Sequence, residues 1–529
     1  APAMAALAQT KKRITQQTFD ETVRENIEEF EMEPAEALAD AIQQFKSQGV
    51  DLTNVDISGV DRKEQRQALS NALELLTSTS ASALADADVS AVLEALEVIK
   101  AACGSSSQTS EVSKSVVAMA HGPRSLAVLV DLDPVREAVL ETIKAIASDS
   151  AECKDGFTAS GMAALARHLA ASTGSSSMDG KACEAVAILC TKTELNKGHF
   201  VKKEVAGLQA LLHVLQVHTA MNEASSVPAA AEGDFTHAKV VAQACAALKA
   251  VLTFDDLRRD FSGSYDSSRA AVELGFVKGL LAATKEFRED GECMAAVFTG
   301  IRAVACNDEA VQQITAGGGM QAAVDHLKLH GADVAVCRQA AALMRNLSGN
   351  DDVKTSLCQS EALELLFVSV NTHMNDGVLA EHVLATLAAM ALRKPDNCDR
   401  IVAAGGAAII TQSMRRFPAL TPLQRQGCLA VRNLVARNPH LREPLLEDDT
   451  ENLLRAAGKI PGSIDAAYAA LRDLKLEVEM VSLDENGNVQ VGVQMFGQVK
   501  SAFKAVWDDN PDTERAMADA ARSPAELGF

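Results

Sequence analysis

The feature that most constrains this chain is an internal repeat. In "RQAAALMRNLSGND", taking Leu347 as position zero, Ala340, Leu343, Met344 and Leu347 stand at −7, −4, −3 and 0, one face of a helix. Equivalent quartets are Ala95/Val98/Ile99/Ala102, Val139/Thr142/Ile143/Ile146, Ala182/Ala185/Val186/Leu189 and Ala244/Ala247/Leu248/Val251. They continue with Val297/Gly300/Ile301/Val304, Val383/Thr386/Leu387/Met390, Gly427/Ala430/Val431/Leu434 and Ala467/Ala470/Leu471/Leu474. The nine zero positions are 44, 43, 62, 53, 43, 43, 44 and 40 residues apart. A unit of this size cannot bury its apolar face alone, so neighbouring units must stack and share one continuous core.

A period near 43 belongs to the armadillo and HEAT class of helical solenoids. The two long intervals contain "MNEASSVPAAAEGD" (221–234) and "LRRDFSGSYDSSRA" (257–270), polar insertions of loop composition. Gly161, Gly318 and Gly405, with Ser360 once in the same place, follow their zero positions at nearly constant offset. A turn glycine there fits the three-helix armadillo unit, a short helix turning into a longer one. The expected fold is all-α: an armadillo-type right-handed superhelical solenoid of about nine repeats. At 529 residues with 4% aromatics and one tryptophan, the chain suits closely packed helices better than sheets.

Both ends depart from the repeat. In "TFDETVRENIEEFEMEPAEALADAIQQFKSQGVDL", Phe19, Val23, Ile27 and Phe30 form one stripe and Ala37, Leu38, Ile42 and Phe45 a second, with Pro34 opening the second helix. Two short stripes are expected to lean on the repeats as an N-terminal cap; a recognition element is the alternative. At the other end "VEMVSLDENGNVQVGVQMF" alternates around a turn and predicts a hairpin within 476–496. Beyond it, Phe503 and Trp507 lie on a short amphipathic stripe, a second cap or a docking peptide. The expected organisation is a cap at 1–60, repeats at 61–476 and an acidic extension at 477–529.

The net charge of −21 argues against nucleic acid and anionic membranes as partners, and no apolar run is long enough to span a bilayer. Eleven cysteines without a CxxC pair point to a reducing compartment and no structural zinc. "GGG" at 317–319 lacks the Lys and Ser/Thr of a phosphate loop and occupies the repeat's turn. His326 and His330 share a helix face without an evident third ligand, so no metal is expected. The pairs Asp255/Asp256 and Asp351/Asp352 read as loop and capping residues. No catalytic constellation, cofactor or small-molecule substrate is indicated.

The surface of a solenoid is where it binds. Position −2 lies nearly opposite the packed quartet and should face the groove. It holds Lys100, Lys144, Ala187, Lys249, Arg302, Arg345, Ala388, Arg432 and Arg472. Position −5 supplies Glu97, Glu141 and Glu184 in the first three units, suggesting the pairs Glu97/Lys100 and Glu141/Lys144, whereas the later arginines have no such neighbour. Two readings follow: a basic track for an acidic segment of a partner protein, or pairing with loop acids such as Asp351 or Asp473 that ties repeats together.

The opening stretch "RITQQTFDETVRENIEEFEMEPAEALADAIQQFKSQGVDL", with "LTFDD", "GNDDVK", "LRKPDN" and "RNLVAR" later, resembles the armadillo repeat-containing protein six family from residue 13 to about 475. The resemblance implies an armadillo scaffold with no established catalytic activity. Asn346 and Asn433 stand where similar armadillo proteins use asparagine to hold an extended peptide. The tryptophans that grip import signals in such proteins are missing from the repeats, so an import receptor is not expected. The expected function is a non-catalytic, cytoplasmic protein-binding scaffold using Arg302, Arg345, Asn346, Arg432, Asn433 and Arg472, with Phe503 and Trp507 in the tail. The alternative is a fixed subunit of a cytoskeletal or ciliary assembly.

Overall fold

The computed structural model describes residues 12–28, 30, 32, 34–48, 50–51, 62–79, 86–104, 108–224, 236–483 and 489–494. Each quartet lies on the third helix of a repeat. These helices are Asp86–Cys103, Arg136–Ala147, Ser176–Cys190, His237–Leu252, Gly291–Val304, Val334–Leu347, Gly377–Ala391, Thr421–Val435 and Ile464–Asp473, numbered here as repeats 1 to 9. In repeats 2 to 9 every quartet residue is buried, and in repeat 1 Val98 and Ala102 are half-buried. Two helices precede most third helices, shorter ones in Asp351–Gln359 and Ala362–Thr372 of repeat 7. The chain divides into two compact units, Ala1–Glu286 and Phe287–Phe529. In the first, the third helices of repeats 1 to 4 pack in sequence; in the second, those of repeats 5 to 9 do so.

The turn between first and second helices is left-handed in most repeats. Gly275, Gly318 and Gly405 have φ of +97°, +91° and +93°. His121, Ala206 and Asp449 occupy the same turn with φ of 58°, 56° and 59°, side chains in a region that glycine enters at lower cost. Gly161 departs from the expected role. It lies inside the helix Ala159–Ala170, where a Cβ would come within 2.5 Å of the Ala127 Cβ, so it serves close packing. Ser360 caps its helix in extended geometry. The second insertion is only partly loop, since the helix Ser264–Leu274 takes up its end.

The N-terminal segment forms a small core of its own. Helices Gln16–Glu28 and Pro34–Ser47 bury Phe19, Ala41, Phe45 and Val50 together, and the rings of Phe19 and Phe45 lie 5.9 Å apart. A short parallel pair, Lys12–Arg13 with Val50–Asp51, closes it. Buried Asn26 donates to the Ala37 carbonyl at 3.2 Å and so ties the helices. Phe30 departs from the expected stripe: it lies past the helix end and is exposed. At the other end the expected hairpin is present as antiparallel strands Val478–Leu483 and Val489–Gln494. Phe503 and Trp507 lie outside the described residues.

Candidate functional site

Of the −2 residues, Lys100, Lys144, Arg302, Arg345 and Arg432 reach side chains of the following repeat, whereas Ala388, expected on the groove face, is buried. Lys100 pairs with Glu97 at 2.6 Å, as the spacing predicts, and also with Glu141 of repeat 2 at 3.0 Å. These bonds to Glu97 and Glu141 hold its ammonium pKa above the ordinary value. Glu141 does not pair with Lys144. It accepts from Lys181 at 2.7 Å and from Lys100, which keep its carboxyl below the usual range, while Lys144 reaches Glu184 of repeat 3 at 2.6 Å. The local i,i+3 pairing expected for Glu141 and Lys144 therefore gives way to contacts across about forty residues of sequence, because stacked helices bring those side chains together.

The later arginines also have partners. Arg302 donates to the Gln339 side-chain oxygen at 2.7 Å, and its buried Nε has no acceptor among the described residues. Burial lowers its pKa, reinforced by the positive charge of Arg345. Arg345 reaches Glu381 at 3.1 Å, and His382 Nδ1 lies 3.2 Å from the same carboxylate. His382 and then Arg345 hold the Glu381 carboxyl below its ordinary range despite its burial. Arg432 and Arg472 share Asp473, at 3.6 and 2.8 Å. The later arginines have no acid at −5, and the pairing of Arg432 and Arg472 with Asp473 is the one the second reading expected, while Arg345 finds Glu381 instead. Asp351, the other suggested loop acid, pairs instead with Lys354 at 2.6 Å. Asn346 is exposed, whereas Asn433 donates across the repeat boundary to the Ala388 carbonyl at 2.8 Å.

A second polar seam runs along the first helices, and sequence reasoning missed it. Lys154, Lys197 and Lys354 are buried, and each sends its ammonium to a carbonyl at the end of the next third helix: Thr191 at 3.0 Å, Thr253 at 2.5 Å and Leu392 at 3.2 Å. A cation at a helix C-terminus meets unpaired carbonyls and the negative end of the dipole. Beside it, Asn196 donates to the Lys154 and Leu189 carbonyls at 2.9 and 3.0 Å, and Asn397 repeats this with Lys354 and Met390 at 3.4 and 2.9 Å. The signal was present: Asn196 and Asn397 each stand seven residues beyond a zero position, Leu189 and Met390.

The two histidines weighed as metal ligands turn to the backbone. His326 Nδ1 bonds the Ala322 carbonyl at 2.5 Å and His330 Nε2 the Arg288 carbonyl at 2.6 Å. No group of three metal-binding side chains converges among the described residues. Asp255 and Asp256 anchor their loop: Asp256 accepts from the Glu194 N–H at 3.2 Å and from Arg258 at 2.8 Å. No helix among the described residues is long and apolar enough to cross a membrane.

Residues 11–72 match the model of the armadillo repeat-containing protein 6 N-terminal domain, a span that includes the Phe19–Phe45 core. Armadillo repeat-containing protein 6 of Pongo abelii is 29% identical over 75% of this chain and 77% of its own length, and that of Homo sapiens 28% identical over the same shares. The Drosophila melanogaster homolog is 24% identical over 72% of this chain and 78% of its own. A solved structure concerning the phosphorylation switch that controls the interaction between cadherin and β-catenin superposes with a TM-score of 0.53, covering 87% of this chain and 81% of that one at 14% identity. Residues 11–72 thus match the N-terminal domain of armadillo repeat-containing protein 6, and over about three quarters of its length the chain is similar to proteins of that name, whose repeats its three-helix units resemble.

Proposed function

We propose that this protein is a non-catalytic, cytoplasmic scaffold that binds partner proteins along the third-helix face of repeats 5 to 9 and takes an acidic segment there. One observation carries the reading. Arg302, Arg345, Arg432 and Arg472 set four guanidiniums on that face, and Glu381 and Asp473 are the carboxylates that pair with them. That cationic surplus stands in a chain of net charge −21. Guanidinium groups suit bidentate contact with carboxylates, and their half-buried, paired setting fixes them for such contact at small entropic cost.

The test is the double variant Arg345→Glu/Arg432→Glu in affinity capture from cell extract, with melting measured on the same sample. Capture should fall strongly, wild-type capture should weaken as salt rises, and stability should change by about 0–1 kcal/mol, the usual range for partly exposed pairs. Unaltered capture with a lowered melting temperature would show that the arginines only hold repeats together. Retention of the protein in the insoluble fraction through salt extraction would instead favour a fixed assembly subunit.

A further inference from the structure

We infer that the cleft between repeats 7 and 8 is a binding pocket for a phosphoryl dianion carried by the partner segment, an inference that rests on the reading above. The cleft is a cavity of about 130 Å³ lined by Arg393, Lys394, Cys398, Arg432, Asn433 and Arg437, together with neighbouring apolar groups. It gathers four cations. Among the described residues no carboxylate lies within ion-pair distance of Arg393, Lys394 or Arg437. The nearby acids make their ion pairs elsewhere: Asp351 pairs with Lys354 at 2.6 Å and meets Lys394 and Arg393 only through longer-range attraction, Asp399 pairs with His440 at 2.7 Å, and Asp473 most closely with Arg472 at 2.8 Å. Four gathered like charges repel one another, and a bound dianion removes that repulsion while a single carboxylate offsets less of it.

The walls suit an anion in other respects. The third helix of repeat 7 ends at this cleft, and its carbonyl dipoles would oppose an anion, but the Leu392 carbonyl is already capped by Lys354 at 3.2 Å. Arg393 is held in a left-handed turn with φ of 60°, which fixes where its side chain departs from the backbone. Asn433 spends its amide N–H on the Ala388 carbonyl at 2.8 Å, which fixes its place in the wall. Cys398 is a neutral thiol there, engaged with backbone carbonyls such as Lys394 O at 3.3 Å, so no thiolate competes for the cations. Clusters of Arg and Lys around a small cavity are the usual recognition chemistry for phosphorylated motifs.

The probe is inorganic phosphate, titrated into the full chain and followed by phosphorus NMR line broadening. Lys394→Ala/Arg437→Ala should weaken binding about ten-fold or more, the loss of charge-assisted contacts. The charge-matched control Arg269→Ala/Lys328→Ala should bind as wild type. Equal broadening in wild type, the pocket variant and the control overturns the pocket, whatever Arg345→Glu does to partner capture. Intact capture by Arg345→Glu overturns the reading of the third-helix face and leaves the pocket result standing. Phosphatase treatment of the extract should reduce capture by the wild type. Undiminished capture, alongside pocket-specific phosphate binding, would mean that the site takes free phosphate and would overturn the assignment to a partner.

Discussion

The buried ammonium of Lys354 donates to the carbonyl of Leu392 within repeat 7, over 3.2 Å. It joins the first helix of a repeat to the end of the third helix of the same repeat, and Lys154 and Lys197 make the same bond earlier in the chain. Desolvating an ammonium is costly, so such a lysine persists where its donors are satisfied.

Lys354→Met should therefore destabilise the protein by about 1–3 kcal/mol, because the carbonyl loses its donor while the stem's packing is kept. Urea unfolding would register this as a lower midpoint. Asp351→Ala, which removes the exposed partner of the same lysine, should change the midpoint little. Equal effects from the two would place the importance in the ion pair instead of the helix end.

The left-handed turns should respond asymmetrically. Gly405→Ala places a Cβ at φ +93° and should cost about 1 kcal/mol or more. His121→Gly relieves a comparable strain but also loosens the unfolded chain, so the two effects of about 1 kcal/mol should nearly cancel. Thermal melts of the two variants against wild type are the check.

Acid should weaken the fold through buried histidines. The Nδ1–H of His326 donates to the Ala322 carbonyl, and its Nε2 is buried without a hydrogen-bond partner among the described residues. Burial lowers its pKa, and burial likewise lowers those of His168 and His237. The unfolded chain protonates near pH 6.5 while the native side chains stay neutral, so the unfolded state binds more protons below that pH. Stability is thus fully present above pH ~6.5 and is lost as pH falls through the depressed native values. His326→Leu should flatten this slope between about pH 6.5 and 5 in urea titrations; an unchanged slope would remove His326 from the account.

The N-terminal core should matter locally first. Phe45→Ala deletes half of the aromatic contact with Phe19 and should cost that core about 3–5 kcal/mol, exposing amides of residues 16–47 to exchange. Deleting residues 1–50 tests the wider cap reading. Aggregation or a lower melting temperature supports a cap; a stable, soluble protein that loses a partner assigns recognition to this segment.

The sequence alone determined the repeat, its three-helix unit and the buried face of each third helix, since i,i+3,i+4 spacing is written within one helix and every unit repeats it. That is why quartets such as Ala340/Leu343/Met344/Leu347 were legible and are buried. Even some turn glycines were readable, because Gly318 and Gly405 meet a local backbone need. Tertiary structure decided the partners. Glu141 takes Lys100 and Lys181 instead of Lys144, Arg345 finds Glu381, Arg393 and Lys394 meet Arg437 around one cleft, and Lys354 is buried at the end of its repeat's third helix, about forty residues on. Those choices depend on the angle and offset at which one repeat stacks on the next. A charged side chain several bonds long reaches whatever that stacking presents, so its sequence neighbours do not fix its partner.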